Sequence, residues 1–107
     1  MLSGYDMMQQ EGTLLELVVK AVRAGAETME VEYKNGYEEV FASRSGIGFG
    51  IARFRSTSSE GSALREELRK LTRKKHRIVI DDTQYDVRAH TYDSFGEVAL
   101  RIQLRRI

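Results

Sequence analysis

Cysteine does not occur in this 107-residue chain. That excludes a disulfide scaffold, a thiolate metal site and a cysteine nucleophile. Proline and tryptophan are also absent. A chain without proline has no fixed breaks in its backbone and is free to spend most of its length in regular structure. Long apolar runs are missing too. Charges interrupt every hydrophobic stretch well before the roughly 18 residues that a transmembrane helix needs. The start, Met1-Leu-Ser-Gly-Tyr-Asp-Met-Met8, has neither a basic segment nor an apolar one, so it does not read as a signal peptide. The cytoplasm is then the default location.

What is present suits one modest domain. Hydrophobic residues make up 41% of the chain, and 17 Lys+Arg stand against 16 Asp+Glu, for a net charge of +1. The near balance hides an asymmetry. Residues 1–40 hold three basic and eight acidic side chains, a net of −5, and the remainder holds fourteen and eight, a net of +6. The two halves either present opposite fields or neutralise one another across the fold.

Residues 1–12 show no period and read as a flexible N-terminal arm; residues 13–107 read as a single domain. Thr13-Leu-Leu-Glu16 matches a capping box. Leu14, Leu17, Val18, Ala21 and Val22 follow at helical spacing, and Gly25 sits where a left-handed cap belongs. The expected helix covers 14–24. Met29, Val31 and Tyr33 then alternate with polar residues, as in a half-buried strand. Asn35-Gly36 is a strong two-residue hairpin signal. Strands are expected over 37–44 and 47–54, with a turn at Ser45-Gly46.

Ser62 is read as the N-cap of a second helix over 62–74, with Leu64, Leu68 and Leu71 as its apolar stripe. Three more strands follow: Arg77–Ile80, a stretch around Tyr85–Thr91, and one through Val98–Leu104 after a loop at 92–96. The order is αβββαβββ. The economical fold is α+β, an antiparallel sheet of about six strands with two helices on one face. The expected core contains Leu17, Val18, Met29, Val31, Phe49, Ile51, Leu68, Val87, Leu100 and Ile102.

Few patterns carry chemistry. Gly46-Ile-Gly-Phe-Gly50 has the wrong spacing for a dinucleotide or Walker A loop, and reads as a strand with a small face. His76 and His90 lie on different elements with no metal-ligand spacing. His76, inside a basic run, reads as solvated. Seven Lys/Arg lie between Arg65 and Arg77. Arg69, Lys70, Arg73, Lys74, Lys75 and Arg77 are the candidate basic interaction surface. A basic helix end is also what the macrodipole favours, and a nucleic-acid footprint is a further reading. Arg88 and Arg101 fall on the non-core faces of adjacent strands, with His90. Two arginines on one rigid face can grip a phosphate or carboxylate. Cross-strand pairing with Asp86 or Glu97 is the plainer alternative. No metal, cofactor or catalytic constellation is implied.

Two blocks carry a family resemblance. The first runs from Leu14 through Gly25-Ala-Glu-Thr-Met-Glu-Val-Glu32. The second is Arg77-Ile-Val-Ile80, Tyr85-Asp-Val-Arg88 and Gly96-Glu-Val-Ala-Leu-Arg101-Ile102. Together they resemble the N-terminal PAS-like domain of the type II secretion and type IV pilus traffic ATPases. The family's Ser-Asp pair is Glu27-Thr28 here, its His is Glu30, and the loop before Gly96 is shorter and lacks proline. The resemblance implies a PAS-like fold and phosphate-facing roles for Arg88 and Arg101. The family's Walker and His boxes lie beyond this domain and are not in the chain. The implied function is a non-enzymatic interaction or regulatory module whose partner is a protein, such as an ATPase of a secretion or pilus system, with self-association also open. The alternatives are a small-anion or nucleotide-phosphate sensor and a basic-patch nucleic-acid binder.

Overall fold

The computed structural model describes residues 6–7, 12–72, 76–94 and 97–107. The element order is β1 (Asp6–Met7), α1 (Thr13–Arg23), β2 (Thr28–Lys34), β3 (Tyr37–Arg44), β4 (Ile47–Arg55), α2 (Ser59–Leu71), β5 (His76–Ile80), β6 (Thr83–Ser94) and β7 (Glu97–Arg106). After the two-residue β1, this is the αβββαβββ order expected from the sequence. Within the N-terminal arm, Asp6–Met7 pairs parallel with β5, a contact that two residues without a period cannot signal. Residues 1–5 and 8–11 lie outside the described residues.

The strands form one seven-stranded sheet in the order β1-β5-β6-β7-β2-β3-β4, in which the six long strands pair antiparallel. Three tight connections make this possible. Asn35-Gly36, Ser45-Gly46 and Asp81-Asp82 all have positive φ. Two consecutive residues in that region form the turn whose twist matches paired strands, and Asn, Asp and Gly tolerate it best. Among the six long strands, the one long connection is α2, which carries the chain from the edge strand β4 to β5 on the other side. That places β7 and β2, from opposite ends of the sequence, side by side at the centre.

Both helices cover one face. Leu14, Leu17, Val18 and Ala21 of α1, and Leu64, Leu68 and Leu71 of α2, join Met29, Val31, Val40, Ala42, Ile78, Ile80, Val87, Ile102 and Leu104 in a single buried cluster. Seven of the ten expected core residues are fully buried; Phe49, Ile51 and Leu100 pack at its margin, half-buried.

Helix ends depart from the sequence reading in instructive ways. The Thr13–Glu16 capping box is not made. Gly12 is the N-cap, with no side-chain bond. The Leu14 N–H instead donates to Glu67 Oε1 of α2 at 3.2 Å, so the neighbouring helix supplies the acceptor. At the other end the expected glycine cap is present. Gly25 has φ +80°, and Gly25 N–H and Ala26 N–H donate to the Val22 and Ala21 carbonyls, a Schellman arrangement.

The second helix starts at Ser59 and ends at Leu71, so Ser62 is not its cap. Ser58 is: its Oγ accepts from Gly61 N–H at 3.0 Å. The sequence offers serine at 56, 58, 59 and 62, and packing selects among them. Gly61 lies directly against the end of β4. A Cβ there would stand 2.3 Å from the Arg55 carbonyl oxygen, closer than atoms can approach. Only glycine permits this contact. Gly61→Ala is therefore expected to destabilise the domain by about 1–3 kcal/mol, because the obstacle is backbone. Urea denaturation checks this, with Ser62→Ala, on an exposed position, as the near-neutral comparison.

Candidate functional site

Strands alternate their side chains across the sheet. The face opposite the helices therefore carries Asp86, Arg88, His90 and Tyr92 from β6. It also carries Ala99, Arg101, Gln103 and Arg105 from β7, and Thr28, Glu30 and Glu32 from β2. The registers order these into rows. His90 stands opposite Arg101, which stands opposite Glu30; Arg88 opposite Gln103 and Thr28; Tyr92 opposite Ala99 and Glu32. The predicted pair Arg88 and Arg101 is thus brought onto one face of one hairpin, as diagonal neighbours.

Their engagement differs. Arg101 donates through Nε and Nη2 to Glu30 Oε1, at 3.1 and 2.9 Å. Tyr92 donates its hydroxyl to Glu30 Oε2 at 3.0 Å, and its ring lies 5.1 Å from the Arg101 guanidinium carbon. Glu30 is thereby shared by a cation and a phenol, and Arg101 is held rather than free. Arg88 is half-buried and makes no hydrogen bond or ion pair among the described residues. His90 is exposed beside it. The expected two-arginine grip is therefore a single available arginine next to a committed one. Arg101 chose the acid of the β2 neighbour, and Asp86 instead faces Arg77 at 3.3 Å.

The basic run from Arg69 to Arg77 divides. Arg69 and Lys70 are exposed on α2, where Arg69 pairs with Glu66. Arg77 has turned onto β5, on the open face, with Asp86. Arg73, Lys74 and Lys75 lie outside the described residues. The change from helix to strand within this stretch separates residues that adjoin in sequence. His76 is not solvated: it opens β5, half-buried, and both ring nitrogens are enclosed. Its strand phase with Ile78 and Ile80 turns it inward, a signal that the surrounding positive charges obscured.

At the far side of the same face, Tyr37 lies beneath Arg53, with its ring centroid 3.6 Å from the guanidinium carbon, and near Arg55 at 5.5 Å. Arg53 also approaches Glu39 at 3.5 Å. The open face thus carries aromatic–arginine–carboxylate clusters at two places. Sequence reasoning missed Glu30 and Tyr92 as site residues. Glu30 has the right phase on β2, but nothing local says that β7 lies beside it. Tyr92 was expected in a loop, whereas β6 runs on to Ser94. Among the described residues no group of three or more His, Cys, Asp or Glu is placed to hold a metal ion. Neither protein-family models nor curated proteins give a match to this chain.

The Tyr92 phenol is pushed above its ordinary value, first by burial and then by the hydrogen bond to Glu30 and the charges of Glu30 and Glu32, with Arg101 opposing. A raised phenol pKa means that the folded protein holds this proton more tightly than the unfolded chain does. The stabilisation is complete below the ordinary tyrosine value of about 10 and is lost as pH rises through the higher folded value. An absorbance titration at alkaline pH should show a tyrosine component that ionises above the ordinary value. Tyr92→Phe should remove that late component, and Glu30→Gln should bring it down. A titration with no late component would contradict the network.

Proposed function

We propose that this chain is a non-enzymatic protein-interaction module that docks its partner on the open face of the sheet. The observation that carries the reading is one-sidedness. Both helices and the buried cluster lie on one side, and the other side has no covering element among the described residues. That bare side is not a uniform polar surface. It carries Tyr92 with Arg101 and Tyr37 with Arg53, each held in place by a neighbouring carboxylate. Tyrosine and arginine are the residue types that dominate interface energetics, and pre-ordered side chains lose less entropy on binding.

The element order also agrees with the resemblance to the N-terminal domains of traffic ATPases. On that basis the partner class is an ATPase of a secretion or pilus assembly machine. The experiment is affinity capture of a purified ring ATPase of this type by the tagged chain. A complex is expected, and Arg101→Glu, which places like charge against Glu30, should weaken it by roughly tenfold or more. Failure to capture would overturn the partner class. Capture that ignores Arg101→Glu would overturn the docking face.

One observation favours a second reading, an anion-sensing role: Arg88 stands on a rigid strand, half-buried, with no ion pair among the described residues. A phosphate oxygen would supply what that guanidinium lacks. Under this reading, millimolar ATP or inorganic phosphate raises Tm through ligand linkage, and Arg88→Ala abolishes the rise. An unchanged Tm for the parent chain removes this reading and leaves protein docking untouched.

A further inference from the structure

The helical side of the sheet holds a separate cleft of about 240 Å³ between α2 and the rows of β2, β3 and β7 beneath it. Its apolar wall is Val31, Leu68 and Leu100, and it also contains Glu38, Arg65 and Arg69. None of these residues belongs to the open face.

Glu38 is the unusual member. It stands on β3 in phase with the buried Val40 and Ala42, and only 4% of its surface is exposed. Oε2 accepts a hydrogen bond from the Ser56 hydroxyl, itself buried. Oε1 has no hydrogen-bond donor or ion-pair partner among the described residues. This oxygen keeps a small exposed area, so it is reached from the cleft rather than sealed without a partner. A donor arriving in the cleft would complete it, and a cationic one would do so best.

The guanidinium groups supply the opposite preference. Arg65 uses Nη2 toward the Ser56 carbonyl at 2.9 Å and the Ser62 hydroxyl at 3.4 Å, which leaves its Nε and Nη1 hydrogens available. Arg69, one turn further, is paired with Glu66, both half-exposed. That pair is bidentate, Nε and Nη2 each donating to one Glu66 oxygen, so Arg69 is committed much as Arg101 is. One small cleft therefore offers a carboxylate, an aliphatic wall and one available cation, Arg65.

We propose that this cleft binds a free aliphatic α-amino acid. The ligand's ammonium group donates to Glu38 Oε1. Its carboxylate meets Arg65. Its side chain rests on Val31, Leu68 and Leu100. The size agrees: the cleft offers about 240 Å³. That suits a single amino acid and falls below the usual range for drug-sized ligands. An amine alone satisfies only Glu38, and a fatty acid alone leaves the Glu38 oxygen facing an apolar chain.

The test uses the intact chain, thermal shift and methyl NMR, with L-leucine titrated to about 10 mM, where even a weak site responds. Two truncated probes accompany it: 3-methylbutylamine, which lacks the carboxylate, and 4-methylpentanoate, which lacks the amine. L-leucine should raise Tm and move the Val31, Leu68 and Leu100 methyl signals. Each truncated probe loses one charge-assisted contact and should bind roughly tenfold more weakly or worse. Glu38→Gln should weaken L-leucine to a similar degree. Should that variant fold poorly, the probe series on the unaltered chain decides alone. Unmoved methyl signals with L-leucine overturn the proposal, as does a truncated probe that binds equally well. Neither result bears on docking at the opposite face.

Discussion

The join between β4 and α2 is the constraint on which the rest of the structure depends. At Gly61 the helix meets the strand backbone with no room for a side chain. Around that contact, Ser56 N–H donates to the Gly36 carbonyl, Ser58 N–H to the Arg55 carbonyl, and Arg65 to the Ser56 carbonyl. The Ser56 hydroxyl serves Glu38, and Ser58 caps the helix. These bonds fix the angle at which α2 leaves the edge of the sheet. That angle brings Leu64, Leu68 and Leu71 onto the core and lets Glu67 reach the first turn of α1. It also holds open the cleft above Glu38. Each link is short-range, yet together they set the position of a helix that carries the chain across the whole sheet.

The charge asymmetry between the two halves of the sequence finds its resolution in strand order. Acidic β2 lies between β3 and basic β7. Glu30 meets Arg101, and Glu39 meets Arg53. The halves neutralise one another locally rather than presenting opposite fields. Much of what remains on the open face is paired charge laid over aromatic rings, while Arg88 and Arg105 have no ion pair among the described residues. Such a surface suits a partner recognised by shape and specific contacts more than a polyanion recognised by net charge.

The order and type of the long elements were legible because each rests on a local signal. The helical stripes of α1 and α2, the alternation in β2 and β7, and the Asn35-Gly36 turn all survive in the structure with small shifts at their ends. Ser58 and Ser62 could not be told apart locally, because only the packing of Gly61 against Arg55 chooses between them. The Thr13 capping box failed for a related reason: a residue 53 positions away supplied the acceptor. For the candidate site, the phase of Arg88, His90 and Arg101 was readable. Their partners were not, since Glu30 reaches Arg101 only through the pairing of β2 with β7. Glu38 was readable in principle, from its phase with Val40 and Ala42. A lone acid in an otherwise ordinary strand, however, gives no sign that it lines a cleft.

Native-state hydrogen exchange at Ser56 and Gly61 tests the β4–α2 join most directly. Both amides are hydrogen-bonded within it, to the Gly36 carbonyl and the Ser58 hydroxyl. If this join anchors α2, both should exchange only through global unfolding, at the slow rate of the Val31 and Ile102 amides in the central strands. Fast exchange at Ser56 and Gly61 beside protected central strands would show that α2 detaches on its own, and would contradict the account.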